Sequence, residues 1–235
     1  AGRGGGALEL RGGDATSTGS GGQLALSSGT GPDGSGAVSV ESAQSAAGSS
    51  GDVQVSSGEA LAGDSGSVRV HSGVSSTAKG GDANMVGGAS ESGTGADVTV
   101  GAGSGEQAGT LSLRGGESSG SMSPGGSVTL QGGSSLAGAG ADLDLRGGAS
   151  DASDGGSVQL VSGESSAADG GSLSLETAPS SSSGDMRFAT GEVESGASGN
   201  TALRTGDADG NGGVGFVSMA AGSGDSAGGV NVSGG

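Results

Sequence analysis

The sequence predicts an all-β fold, a parallel β-solenoid (β-helix) of about sixteen coils with a period near 15 residues. Three observations carry that expectation. An apolar dyad returns at nearly even intervals, glycine keeps a fixed phase against it, and the composition holds too little bulk for a globular core.

The dyad is clearest in Gly156-Ser157-Val158-Gln159-Leu160-Val161-Ser162-Gly163. Val158 and Leu160, one residue apart, would share a face of an extended strand, with Ser157, Gln159 and Val161 on the other. The same spacing gives Leu8/Leu10, Leu24/Leu26, Val38/Val40, Val53/Val55, Val68/Val70, Ala83/Met85, Val98/Val100 and Leu111/Leu113. It continues through Val128/Leu130, Leu143/Leu145, Val158/Leu160, Leu173/Leu175, Met186/Phe188, Thr201/Leu203, Val214/Phe216 and Val230/Val232, making sixteen copies with a mean step of 14.8 residues. Individual steps run only from 13 to 17.

Glycine occupies the third position after the second dyad member in thirteen of sixteen copies, with Ala43, Ala178 and Met219 the exceptions. A further glycine, often a pair such as Gly80-Gly81, Gly125-Gly126, Gly155-Gly156 or Gly170-Gly171, precedes the next dyad. Such positions suit a reversing chain that needs positive φ or close backbone approach. The reading is of two corners per repeat, with small residues such as Glu164-Ser165-Ser166-Ala167-Ala168 forming a second, thinner strand between them.

With 60 glycines and two aromatics, Phe188 and Phe216, among 235 residues, little is available to fill a globule. Fixing a 15-residue coil costs on the order of 15–30 kcal/mol of backbone entropy. Two buried aliphatics return about 3–6 kcal/mol. No coil can stand alone, so order requires a ladder of neighbours. The competing reading is disorder, the usual state of Gly/Ser-rich acidic chains. Against it stands the register of the sixteen dyads, which a linker does not require.

The whole chain, 1–235, reads as a single repeat solenoid, cleanest over 7–180 and more irregular over 181–235, where Met186, Phe188 and Phe216 enlarge the dyads. Pro32, Pro124 and Pro179 fall between dyads, where a missing N–H does no harm. No capping segment is visible at either end, which suggests part of a longer array or a protomer whose ends neighbours cover.

The net charge of −17 disfavours nucleic acid and anionic membrane surfaces as partners, since both recruit clustered Lys/Arg. Six arginines, Arg11, Arg69, Arg114, Arg146, Arg187 and Arg204, flank dyads, as does His71, while most acids lie in the intervening turns. The expected rod therefore has a mildly basic face and acidic edges, either solvated or meeting between rods. The absence of cysteine removes disulfide staples, zinc fingers and thiol chemistry. No apolar run approaches the length of a membrane span, and no signal peptide is recognisable.

Chemistry-bearing patterns are few. His71 is the lone histidine, and no spacing places it with a serine and an acid as a catalytic set, so no enzyme is expected. Asp207-Ala208-Asp209-Gly210-Asn211-Gly212 matches the first half of a calcium loop, making Asp207, Asp209 and Asn211 candidate ligands. Ser218 stands at the twelfth place, where such a loop needs a bidentate glutamate; the bland reading is a polar turn. Asn231-Val232-Ser233 is an N-glycosylation sequon, and exposed hydroxyls such as Ser180–Ser183 suit O-linked sugars in a secretory setting.

The segments Gly125-Gly126-Ser127-Val128-Thr129-Leu130-Gln131-Gly132-Gly133 and Gly155-Gly156-Ser157-Val158-Gln159-Leu160-Val161-Ser162-Gly163 resemble long Gly/Ser-rich repeat arrays in secreted or cell-surface proteins of diatoms and related stramenopile algae. That resemblance implies an extracellular or cell-surface structural role, filamentous in form. The expectation is a non-enzymatic component of a fibre, stalk or coat, self-associating or partnered by other structural glycoproteins. The alternative is a surface-binding module for polysaccharide or, less so, ice. Positions 25, 39, 54, 69, 84, 99 and 112 read Ala, Ser, Gln, Arg, Asn, Thr and Ser, too irregular for the uniform ladder that ice requires.

Overall fold

The computed structural model describes residues 5–121, 123–208, 212–223 and 228–234. The chain divides into two units, Ala1–Ser112 and Leu113–Gly235, each a run of the same repeats.

The expected all-β solenoid is overturned. Among the described residues there is no strand and no helix. Backbone–backbone hydrogen bonds number eleven among them, against roughly one hydrogen bond of all kinds per residue in a packed fold. None joins one dyad to the next, so the ladder on which stacking depends is missing. The accessible surface is 22926 Å². A globule of this mass exposes about 9,000 Å² and an unfolded chain about 31,000 Å².

No hydrophobic side chain is buried among the described residues. Val55, Val70, Met85 and Val100, the expected column, are 75, 86, 75 and 58% exposed. The bulkier dyad at Met186 and Phe188 does not build a wider core either, with Phe188 71% exposed. The physical reason lies in the energetics of one coil. Two aliphatics contribute a small fraction of the ordering cost, and glycine raises that cost. Without interlocking ladders the deficit repeats with every copy.

What the sequence builds instead, in nine of the fifteen intervals between dyads as the described residues show them, is a locally closed loop. Nine of the eleven backbone bonds share one pattern: the acceptor is the carbonyl three residues after a dyad, and the donor is the N–H two residues before the next. In the first unit Gly22 closes onto Gly13 (2.7 Å), Gly36 onto Gly29 (2.9 Å), Gly81 onto Gly73 (3.4 Å), Ala96 onto Gly88 (2.9 Å) and Gly109 onto Gly103 (2.9 Å). In the second, Gly126 closes onto Gly116, Gly156 onto Gly148 and Gly171 onto Gly163, each at 2.8 Å, and Ala141 onto Gly133 at 2.9 Å.

Where it occurs, this pattern separates the repeat into a constant arm and a variable loop. From Gly156, the donor, to Gly163, the next acceptor, is seven residues, and the same interval recurs from Ala96 to Gly103 and from Gly126 to Gly133. The closed loops differ, from six residues between Gly103 and Gly109 to ten between Gly116 and Gly126. All of the scatter in repeat length therefore sits in the loops. Loop-closure entropy tolerates it, since lengthening from six to ten residues costs about 0.5 kcal/mol.

Candidate functional site

The loop is the repeated unit that presents side chains, and three local devices shape it. The first is its waist. In each of the fifteen pairs made by the residue two after a dyad and the residue two before the next, at least one member is glycine. In twelve of them the two approach each other; a Cβ on Gly184, Gly212 or Gly228 would not meet its partner within 4 Å, and Thr205 packs instead against Gly215. Where the first member is glycine, a Cβ would collide with the opposing carbonyl: Gly12 with Gly22, Gly87 with Ala96, Gly115 with Gly126, Gly132 with Ala141 and Gly147 with Gly156. Where it is serine, the opposing glycine makes room, with Ser28 Cβ 3.4 Å from the site of a Cβ on Gly36 and Ser72 Cβ 3.3 Å from that on Gly81. All the half-buried positions among the described residues, Gly12, Ser28, Ser42, Ser72, Gly87, Gly115, Gly132 and Thr205, lie at this waist. The expectation of close backbone approach holds at Gly81, Gly126, Gly156 and Gly171, all closure donors. Positive φ has a smaller part, at Gly19, Gly34, Gly63 and Gly196.

The second device is a serine five residues after the dyad. Its hydroxyl accepts a backbone N–H two or three residues ahead and folds the loop apex. Ser45 accepts from Gly48 (3.0 Å), Ser75 from Ala78 (3.0 Å), Ser90 from Gly93 (2.8 Å) and Ser135 from Gly138 (2.8 Å). Ser118 accepts from Gly120 (3.3 Å), Ser150 from Ser153 (3.0 Å) and Ser165 from Ala168 (2.9 Å). The thinner strand expected over 164–168 is thus a bend at 166–168 held by Ser165. A fixed phase against the dyads would have revealed these serines, but abundant serine elsewhere conceals it.

The third device is local charge pairing. Arg11 bonds Asp14 and Lys79 bonds Asp82, each at 2.9 Å, Arg114 bonds Glu117, and Arg146 bonds Asp144 at 2.6 Å. Three of the dyad-flanking arginines, Arg11, Arg114 and Arg146, and the loop lysine Lys79 thus meet acids two or three residues away. All eight side chains are more than half exposed, so each pair contributes about 0–1 kcal/mol.

Two hollows lie in the first unit. One, about 570 Å³, is lined by Glu41, Ser42, Ala43, Gln44, Ser45, Gly48 and Ser50 and is mostly polar. The other, about 260 Å³ and mostly apolar, brings Val70 and Met85 of consecutive dyads together with Ala83 and Asn84.

Of the candidate calcium ligands, Asp207 is exposed, while Asp209 and Asn211 lie outside the described residues. Among the described residues no three His, Asp or Glu side chains gather as a metal-binding set. Asn231 is exposed between Val230 and Val232. The ring Nδ1 of His71 is 3.3 Å from the carbonyl oxygen of Ser72, its own neighbour, and donates to it in the matching tautomer. No helix among the described residues is long and apolar enough to cross a membrane. Compared with known protein families, curated proteins and solved structures, the chain matches none.

Proposed function

We propose that this chain is a non-enzymatic structural protein of the extracellular space or cell surface that assembles through its own surfaces. One observation carries the reading: aliphatic side chains return at a constant place in a constant arm, yet remain 48 to 86% exposed in the single chain. The hydrophobic effect favours covering them, and a second copy offers the same spacing. Covering what one dyad still exposes contributes about 1.5–5 kcal/mol before the ordering costs of association. The charge of −17 opposes contact between copies, so assembly strengthens as salt screens it. The test is sedimentation and electron microscopy of the full chain over a range of concentration and salt, beside V70D and M85D. Concentration-dependent assembly that salt promotes and these substitutions weaken supports the proposal. A monomer under all conditions refutes it.

Carbohydrate binding is the second reading. The hollow over residues 41–50 presents hydroxyl, amide and carboxylate groups suited to a sugar's hydroxyls. A glycan array distinguishes it, because that reading requires a hit abolished by Q44A.

A further inference from the structure

Glu-Ser-Gly occurs twice in the chain, as Glu91-Ser92-Gly93 and Glu194-Ser195-Gly196, once in each unit. Both copies coincide with the bend of a loop. At the first, the N–H of Gly93 is taken by Ser90 at 2.8 Å, so Ser90 supplies the turn acceptor and Ser92 sits exposed on the bend itself. At the second, Gly196 adopts φ +115, a conformation suited to glycine, and a Cβ there would meet nothing within 4 Å. Each serine is therefore an exposed hydroxyl on a sharp turn, preceded by an exposed carboxylate and followed by a residue without a side chain.

We propose that Ser92 and Ser195 are acceptors for O-linked glycosylation, taking a neutral sugar from a nucleoside diphosphate sugar. In the transfer the serine Oγ–C1 bond forms and the C1–O bond to the diphosphate breaks. The hydroxyl proton passes to a base of the transferase, and the nucleoside diphosphate leaves. The bend offers the hydroxyl to an enzyme without prior unfolding, and the following glycine leaves room for a ring on Oγ. An uncharged sugar suits the site better than phosphate, whose charge of about −1.5 to −2 would sit beside Glu91 or Glu194 in an already acidic chain. Hydroxyl-rich segments of low complexity carry such sugars in secreted proteins. The inference rests on the extracellular reading above.

The full chain is expressed behind a secretion signal in a eukaryotic host, and its sugars are located by intact-mass and electron-transfer fragmentation spectrometry. Bacterially made chain is incubated in parallel with solubilised microsomes and UDP-xylose, UDP-galactose or UDP-N-acetylglucosamine, so both serines are tested as acceptors even if secretion fails. Sugar is expected at both serines, lost from each independently in S92A and S195A. G93A, which places a methyl 3.1 Å from Ser90 Oγ, lowers occupancy of Ser92 several-fold and leaves Ser195 unchanged. Unmodified serines in both preparations, phosphate at these positions, or sugars confined to Ser180–Ser183 overturn the proposal. Self-association of the sugar-free bacterial protein is read separately, so failure here leaves the structural reading to its own test.

Discussion

Gly87 and Gly88 are adjacent, yet the geometry assigns them opposite responses to a methyl group. A Cβ on Gly87 would lie 2.6 Å from the carbonyl oxygen of Ala96 and 3.3 Å from its carbon, whereas one on Gly88 meets nothing within 4 Å. Neither glycine has positive φ, so backbone strain does not distinguish them. Gly87→Ala must push the waist apart and break the bond from the Ala96 N–H to the Gly88 carbonyl, 2.9 Å long in the native loop. A backbone hydrogen bond contributes about 0.5–1.5 kcal/mol net, so the Ala96 amide should exchange with solvent roughly 2- to 13-fold faster. Gly88→Ala keeps the bond and restricts the open chain. That favours closure by about 0.4–1 kcal/mol and slows the same amide roughly 2- to 5-fold. Hydrogen exchange read at Ala96 by NMR separates the two. Equal rates in both variants, or faster exchange in Gly88→Ala, would refute the waist.

Calorimetry of the unassembled chain should show no cooperative unfolding peak, whereas a packed protein of 235 residues would gain about 3 kcal/mol/K in heat capacity. A sharp transition with that increment would mean a core exists. Ser165→Ala removes the acceptor for the N–H groups of Ala167 and Ala168, and both amides should exchange several-fold faster while Gly171, which closes the loop elsewhere, changes less. Deleting Met122 and Ser123 shortens the loop between Gly116 and Gly126 from ten residues to eight, the length already used between Gly88 and Ala96, and should preserve protection of the Gly126 amide. Deleting Thr129 instead shortens an arm, and loss of protection at Gly126 or Ala141 is the expected contrast; identical behaviour of the two deletions would count against the division into arm and loop.

Much of the local design was legible in the sequence, and the fold class was not. The dyads marked the arms, and the glycine three residues later marked a junction, although its part is to offer a carbonyl, and none of these glycines among the described residues turns through positive φ. Pairs such as Gly155-Gly156 announced the close approach that Gly147 and Gly156 make. The complementarity of the waist was visible only pairwise: alanine at 96 and 141 is tolerated because glycine stands at 87 and 132. Periodicity specifies which residues are equivalent; it does not specify whether equivalent residues bond to one another. That depends on a balance of a few kcal/mol per repeat between burial and ordering, to which Val70 and Met85 contribute little while each is three-quarters exposed or more. The calcium reading at Asp207 and the sequon at Asn231 rested on linear pattern alone.

The division into arm and loop also bears on why the dyads are spaced at all. If apolar residues served only to seal each loop, they would belong inside it, near the waist where the half-buried positions lie. The waist is built from glycine, serine, alanine and threonine, and the dyads stand in the arms outside it. Their mean spacing of 14.8 residues therefore does nothing for closure of the individual loop. Regular spacing has a physical use when a second surface meets several dyads at once, because each further contact forms at high effective concentration once the first is made. The variable loops weaken that benefit where their length changes, between Gly103 and Gly109 and between Gly116 and Gly126. The three uniform eight-residue closures from Gly133 to Gly171 leave the two arms between them, 141–148 and 156–163, evenly spaced, so under the assembly proposed above that stretch is where a second copy is expected to join.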